Sequence, residues 1–124
     1  MGRQQILIVD DEEVNRAILA EIFCDDYEII EASNGGEAVQ HLEANQNIVL
    51  VCLDVVMPVM DGFDVLEYMK EHELINKIPV ILITGESVAS SEGKAYDYGV
   101  ADVMHKPFYP HIVMRRSSNI IELY

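Results

Sequence analysis

The sequence predicts an α/β fold, in which a doubly wound parallel sheet of five strands in the order 2-1-3-4-5 is flanked by five helices. Segments of apolar and β-branched residues alternate five times with segments of helical periodicity. The apolar segments are mostly continuous, which is typical of strands that are covered by helices on both faces of a sheet.

Four apolar segments are predicted to be strands because they are short, rich in Val and Ile, and bounded by turn residues. They lie at residues 6–9, 48–53, 80–84 and, more weakly, 100–104. A fifth segment at residues 27–33 alternates between polar and apolar residues, so we expect it at an edge of the sheet.

Five other segments have the apolar spacing of amphipathic helices. Glycine, asparagine and proline residues separate several of them from the strands, and these residue types favour turns. The predicted helices span residues 13–24, 35–44, 62–73, 89–98 and 109–123.

Length and composition limit what the chain can be. Its 124 residues suffice for a single domain, and half of them are hydrophobic, with a mean hydropathy of +0.12. The net charge of −14 argues against a nucleic-acid surface, which needs clustered Lys and Arg. The N-terminus has no signal-peptide core, and no apolar run approaches the ~18 residues of a membrane span. We therefore expect a soluble cytoplasmic domain that contacts neither nucleic acid nor membrane.

Polar residues suited to phosphate or metal chemistry follow the predicted strands. They are Asp10 and Asp11 after the first strand, Asp54 after the third, Thr84 at the end of the fourth and Lys106 after the fifth. In a parallel sheet the carboxyl ends of the strands share one edge, so these side chains should lie together. Asp10 and Asp11 alone could simply begin a helix, but the combination of strand ends favours a cation site.

Such a site has a recognisable chemistry. Three adjacent carboxylates repel one another, at a cost on the order of 4 kcal/mol for two charges about 4 Å apart at an effective dielectric of about 20. Mg²⁺ relieves this repulsion and suits carboxylate oxygens. Thr84 and Lys106 would supply a hydroxyl and a positive charge to a phosphoryl group. Asp54 is the best candidate for a nucleophile, since aspartyl phosphates are established covalent intermediates.

Four motifs together match a known family. They are ILIVDDEEVNR, LDVVMPVMDG, IPVILITG and HKPF, in the family's order and at its spacing. Over essentially its whole length the chain resembles the receiver domain of two-component response regulators, whose fold is flavodoxin-like. The resemblance implies that Asp54 accepts a phosphoryl group from a phosphohistidine on a sensor histidine kinase or a histidine phosphotransfer domain.

The resemblance also implies a role for each site residue. The implied Mg²⁺ ligands are Asp11 and Asp54 directly, Asp10 through water and Val56 through its backbone carbonyl. Thr84 and Lys106 would bind the phosphoryl oxygens. The domain would catalyse only its own phosphorylation and dephosphorylation and would not be an enzyme that acts on metabolites.

One position departs from the family pattern. Three residues before its lysine, the family usually carries Tyr or Phe, a ring whose rotation reports phosphorylation, whereas this chain has Val103. Tyr96, Tyr98 and Tyr109 are candidates to replace this ring, and the sequence does not choose among them. We expect phosphorylation to shift an equilibrium that exposes the face made by helix 4, strand 5 and helix 5. A homodimer through this face is a further expectation.

Other function classes fit less well. A phosphate-independent pseudo-receiver that serves only for docking is consistent with Val103, although the complete set of site residues argues against it. An aspartyl-phosphate phosphohydrolase would need a second acid two residues after its nucleophile, where this chain has Val56, and a cap domain for which there is no room. The nucleotide-binding motifs GxxxxGK[ST] and GxGxxG do not occur.

The C-terminal segment carries two further expectations. Its apolar residues continue to Tyr124 without a Gly or polar cap. We therefore expect the receiver domain, residues 1–124, to be excised from a longer response regulator with a C-terminal output domain. Arg115 and Arg116 form the only adjacent basic pair, and they could contact acidic residues of a second copy or form an ordinary solvated face.

Overall fold

The computed structural model describes residues 3–55, 60–85, 89–106 and 109–124. The strands are β1 (Gln5–Val9), β2 (Glu28–Ala32), β3 (Ile48–Asp54), β4 (Val80–Thr84) and β5 (Asp102–His105). The helices are α1 (Glu13–Phe23), α2 (Gly35–Ala44), α3 (Gly62–Glu71), α4 (Ala89–Tyr98) and α5 (Pro110–Leu123).

All five strands are parallel and form one sheet in the order β2-β1-β3-β4-β5. This confirms the predicted fold class and strand order, and it places β2 at an edge of the sheet, where its alternating pattern predicted it. The order reverses direction at β1 and β3, so the crevice between the carboxyl ends of these two strands is the expected ligand position in such a sheet.

The core has two layers, one on each face of the sheet, because successive strand residues point to opposite faces. The layer between the sheet and α2, α3 and α4 contains the strand residues Leu7, Val9, Val51, Leu53 and Leu82. The layer between the sheet and α1 and α5 contains the strand residues Ile6, Ile8, Leu50, Cys52, Ile81 and Ile83. Burial raises the pKa of the Cys52 thiol to about 12, so this cysteine serves as a protonated core residue.

Two element boundaries differ from the prediction by two residues, for local reasons, and the others differ by at most one. Helix α3 ends at Glu71 instead of residue 73, because Glu73 has a left-handed φ of 58°. Strand β5 begins at Asp102 instead of residue 100, because Gly99, with a φ of 98°, turns the chain out of α4 and leaves two residues to reach the sheet. Among the described residues, no helix combines the length and apolar character that crossing a membrane requires.

Candidate functional site

The polar residues that follow the strands meet at the carboxyl edge of the sheet. One carboxylate oxygen from each of Asp10, Asp11 and Asp54 lies within 4.8 Å of the other two. The Nζ atom of Lys106 lies 3.2 Å from Oδ2 of Asp10 and 3.6 Å from Oδ1 of Asp54. Asp10 and Asp54 are buried, with 1% and 5% of their surfaces exposed, so these charges interact with little screening by water.

Asp10 is held through every polar group it has. Its backbone N–H donates to the carbonyl of Ala32 on β2 at 3.1 Å, and its Oδ1 accepts from the N–H of Glu12 at 2.9 Å. Its backbone carbonyl accepts from Nη1 of Arg16 on α1 at 2.8 Å. The position of this carboxylate is therefore fixed by β2 and by the first residues of α1.

Asp54 is positioned by close packing of α3 against the end of β3. The N–H of Gly62, the first residue of α3, donates to the carbonyl of Val55 at 3.0 Å. A Cβ atom on Gly62 would overlap the carbonyl oxygen of Asp54 and lie 3.0 Å from the Cα of Val55. A capping box between Asp61 and Asp64 begins the helix at this point. Glycine is therefore required where α3 meets the strand end.

Thr84 and Lys106 complete the edge from β4 and β5. Thr84 is the last residue of β4 and is buried, with 7% of its surface exposed. The N–H of Lys106 continues the parallel pairing by donating to the carbonyl of Thr84 at 2.9 Å. This backbone hydrogen bond sets where the Lys106 side chain begins its path toward Asp10 and Asp54.

The site perturbs the acidities of two of its members. Burial raises the pKa of Asp54 to about 6, and the negative charges of Asp10 and Asp11 add to this increase, while Lys106 partly offsets it. Burial acts to lower the pKa of Lys106, but the charges of Asp54 and Asp10 together outweigh it, so this pKa is raised. Lys106 therefore stays protonated beside a carboxylate whose pKa is about 6.

The donor set fits a hard divalent cation. Three carboxylate oxygens within 4.8 Å, two of them on buried residues, form a negative cluster that one lysine neutralises only in part. Mg²⁺ prefers oxygen ligands and typically binds one or two protein carboxylates while keeping several waters. The carbonyl of Val56, the fourth predicted ligand, lies outside the described residues and stays a prediction.

Comparison with known proteins identifies the family of the chain. The family model for the response regulator receiver domain matches residues 6–116. The chain belongs to this family. It is 28% identical over 121 residues to the two-component response regulator ORR5 of rice, covering 97% of this chain and 90% of that protein. It is 34% identical over 113 residues to the transcriptional regulatory protein SrrA of Staphylococcus aureus, covering 90% of this chain but 45% of that protein.

A solved structure gives the same result for the fold. The signal receiver domain of an HD domain-containing protein from Pseudomonas fluorescens superposes with a TM-score of 0.88 at 25% identity, covering 98% of this chain and 96% of that one. The resemblance to receiver domains that the four motifs predicted is thereby confirmed.

The three tyrosines that could replace the ring absent at Val103 differ in their surroundings. Val103 itself is buried in the core layer beside α4. Tyr96 and Tyr109 are 51% and 62% exposed, respectively. The Tyr98 ring is partly buried against α3, with its centroid 6.1 Å from that of Phe63. Of the three rings, that of Tyr98 is therefore the one packed against another helix within the described part of the chain.

The adjacent arginines of α5 also differ. Arg116 is engaged within the chain, since its Nε and Nη2 donate to the two carboxylate oxygens of Asp102 at 2.8 and 2.6 Å. Arg115 is exposed. Arg115 is therefore available for the contact with a second copy that the sequence suggested for this pair. Arg116 instead connects α5 to β5 through its ion pair with Asp102.

Two residues of the site were missed by sequence reasoning. Gly62 begins the helix predicted at residues 62–73, but its close approach to the Asp54 carbonyl was not predicted, and Arg16 received no role. A signal for Arg16 was present: it is the only cation in the acidic segment from Asp10 to Glu21 and lies close enough along the chain to reach back from α1. For Gly62 the sequence holds no comparable signal, because the contact is made between two elements.

Proposed function

We propose that this receiver domain accepts a phosphoryl group on Asp54 from a phosphohistidine of a sensor histidine kinase or phosphotransfer domain. The supporting observation is a buried Asp54 beside Asp10, Asp11 and Lys106 at the carboxyl edge of the sheet. In the transfer, a carboxylate oxygen of Asp54 forms a bond to phosphorus, the bond from phosphorus to the donor imidazole nitrogen breaks, and that nitrogen keeps the electron pair.

Each residue would have a defined part. Asp54 is the nucleophile and is mostly ionised above its pKa of about 6. Lys106, which is already close to Asp54 and Asp10, would bind a phosphoryl oxygen, as would the hydroxyl of Thr84. Asp11 and Asp54, Asp10 through water and the Val56 carbonyl would hold Mg²⁺. When bound, Mg²⁺ neutralises the carboxylates and draws charge from the phosphoryl oxygens.

Mass spectrometry after incubation with acetyl phosphate tests this proposal. With Mg²⁺ we expect one base-labile phosphoryl group per chain, and we expect none with a chelator or in Asp54→Asn. Asp26→Asn removes an exposed carboxylate after α1 and serves as the matched control, with phosphorylation unchanged. A chain that binds Mg²⁺ but gains no phosphoryl group would instead support the pseudo-receiver, which Val103 favours.

We further propose that Tyr98 takes the place of the ring that is missing at Val103. Phe63 follows Gly62, whose backbone lies against the carbonyl of Asp54. A movement of the backbone at Asp54 would therefore also move the first turn of α3, which contains Phe63. The Phe63 ring contacts Tyr98 and lies 4.3 Å from the Nζ of Lys94, both on α4. Glu67 on α3 accepts a hydrogen bond from the Tyr98 hydroxyl, which raises the pKa of this tyrosine.

In Tyr98→Ala we accordingly expect phosphorylation to occur without its effect on α4. Acetyl phosphate should still modify the variant at a rate within about twofold of wild type, and stability should fall by about 1 kcal/mol, as expected for loss of an aromatic pair. The phosphorylation-dependent change in amide hydrogen exchange of α4 should be lost. Tyr96→Ala, which removes an exposed ring from the same helix, should keep it. A full α4 response in Tyr98→Ala would contradict the proposal.

The wider setting is proposed on less direct grounds. We propose that the domain works in the cytoplasm, where thiols stay reduced, in agreement with its two free cysteines. A C-terminal output domain is proposed because SrrA is about twice as long as the matched region. A homodimer through α4, β5 and α5 is proposed because the exposed Arg115 offers a cation to an otherwise acidic partner copy.

A further inference from the structure

Arg16 connects α1 to both neighbouring strand ends. Its Nη1 donates to the backbone carbonyl of Asp10 at 2.8 Å, and its Nε donates to Oε1 of Glu31 on β2 at 3.1 Å. Its side chain is only 16% exposed, whereas that of Glu31 is 47% exposed. The contact with Asp10 is therefore the better shielded of the two, and it is made to a residue of the acidic cluster.

The carbonyl that Arg16 holds belongs to the peptide that joins two of the three clustered aspartates. The carbonyl of Asp10 and the N–H of Asp11 lie in one rigid plane, so fixing the carbonyl fixes where the Asp11 residue begins. The N–H of Asp10 is fixed independently by Ala32, and its Oδ1 by the N–H of Glu12. Arg16 thus holds a carbonyl of the peptide that joins Asp10 to Asp11.

We infer that Arg16 is a positioning residue for the cation site, acting through the Asp10–Asp11 peptide to keep both carboxylates directed toward Asp54. The inference rests on the proposed function for the identity of the ion, Mg²⁺. Arg16 does not touch the ion. It holds in place a backbone whose two side chains would contact Mg²⁺ directly or through water.

An electrostatic role and a positioning role of Arg16 predict opposite changes in Mg²⁺ affinity when Arg16 is removed. Removing a cation near three carboxylates makes the site more negative, so a purely electrostatic role predicts tighter Mg²⁺ binding. A positioning role predicts weaker binding, because the carboxylates lose their fixed separation. Loss of groups that orient metal ligands typically lowers metal affinity by about 10- to 100-fold.

The test is isothermal titration of the full chain with MgCl₂, without phosphodonor. Arg16→Met keeps an unbranched apolar stem and removes the charge and the donors of the guanidinium group. Arg116→Met is the matched control, since Arg116 also lies on a helix and also pairs with an acid on a strand, Asp102, but on a different strand and helix. We expect the Kd for Mg²⁺ to rise about tenfold in Arg16→Met and to stay unchanged in Arg116→Met.

A second variant separates positioning from a general loss of structure. Arg16→Lys keeps the charge and one donor that can reach the Asp10 carbonyl, so its Kd should lie between those of wild type and Arg16→Met. Thermal unfolding without Mg²⁺ identifies a temperature at which all variants are folded. If Arg16→Met is unfolded at every temperature, the Kd of Arg16→Lys alone tests the inference, and it should be higher than that of wild type. An unchanged or lower Kd in the folded Arg16 variants overturns the inference. A wild-type chain without Mg²⁺ binding overturns the metal site itself, which is a distinguishable result.

Discussion

Gly62→Ala is expected to lower the free energy of unfolding by about 3 kcal/mol, as overpacking of rigid sites does. The added Cβ would overlap the carbonyl oxygen of Asp54 and lie 3.0 Å from the Cα of Val55, which are backbone atoms that cannot rotate aside. Relief requires α3 to move away from β3, which breaks the hydrogen bond from the Gly62 N–H to Val55. Because domains are typically stable by only about 5–15 kcal/mol, this is a large fraction of the total.

Equilibrium unfolding in urea measures this loss, and Gly93→Ala is the matched control. Gly93 lies in α4, and a Cβ there would meet no atom within 4 Å. Alanine at this helical position should stabilise the domain by about 0.5–1 kcal/mol, because glycine loses more backbone entropy on folding. If the two substitutions changed the free energy of unfolding equally, close approach at Gly62 would not be the reason for glycine at that position.

The strands and the polar strand ends could be predicted because both depend on order along the chain. Burial on both faces imposes continuous apolar runs, and the predicted strand at residues 80–84 coincides with β4. Parallel strands bring residues such as Asp10, Asp54 and Lys106 together from distant parts of the sequence without any knowledge of side-chain contacts. The candidate site therefore followed from topology.

Contacts between elements could not be predicted in this way. Periodicity reports which face of an element is buried but not which atom it meets, so the overlap at Gly62 had no signature. The position of Arg16 in an acidic segment indicated an acidic neighbourhood but did not identify the Asp10 carbonyl as its partner. For the same reason the sequence did not distinguish Tyr98 from the two exposed tyrosines. It also did not predict the ion pair between Arg116 and Asp102. These residues became distinguishable only through tertiary packing.

Asp54→Asn is expected to stabilise the domain when Mg²⁺ is absent, by about 3 kcal/mol at about pH 8. Burial and the neighbouring carboxylates raise the pKa of Asp54 from 3.8 to about 6. A carboxyl group with a raised folded-state pKa favours folding below its unfolded pKa, and this contribution is lost as the pH rises through the folded pKa. Asparagine has no charge to bury and should escape this loss.

Urea unfolding of wild type and variant at about pH 4 and about pH 8 measures the effect. The stability difference should be near zero at the acidic pH and grow between the two values, whereas the exposed carboxylate removed in Asp26→Asn should produce no such change. Mg²⁺ should stabilise wild type more than Asp54→Asn, because a ligand stabilises the state that binds it. A difference independent of pH would mean that Asp54 is not strained electrostatically. The proposed phosphoryl transfer would require such strain, because a nucleophile at Asp54 must stay ionised while buried and groups arranged for chemistry commonly cost stability.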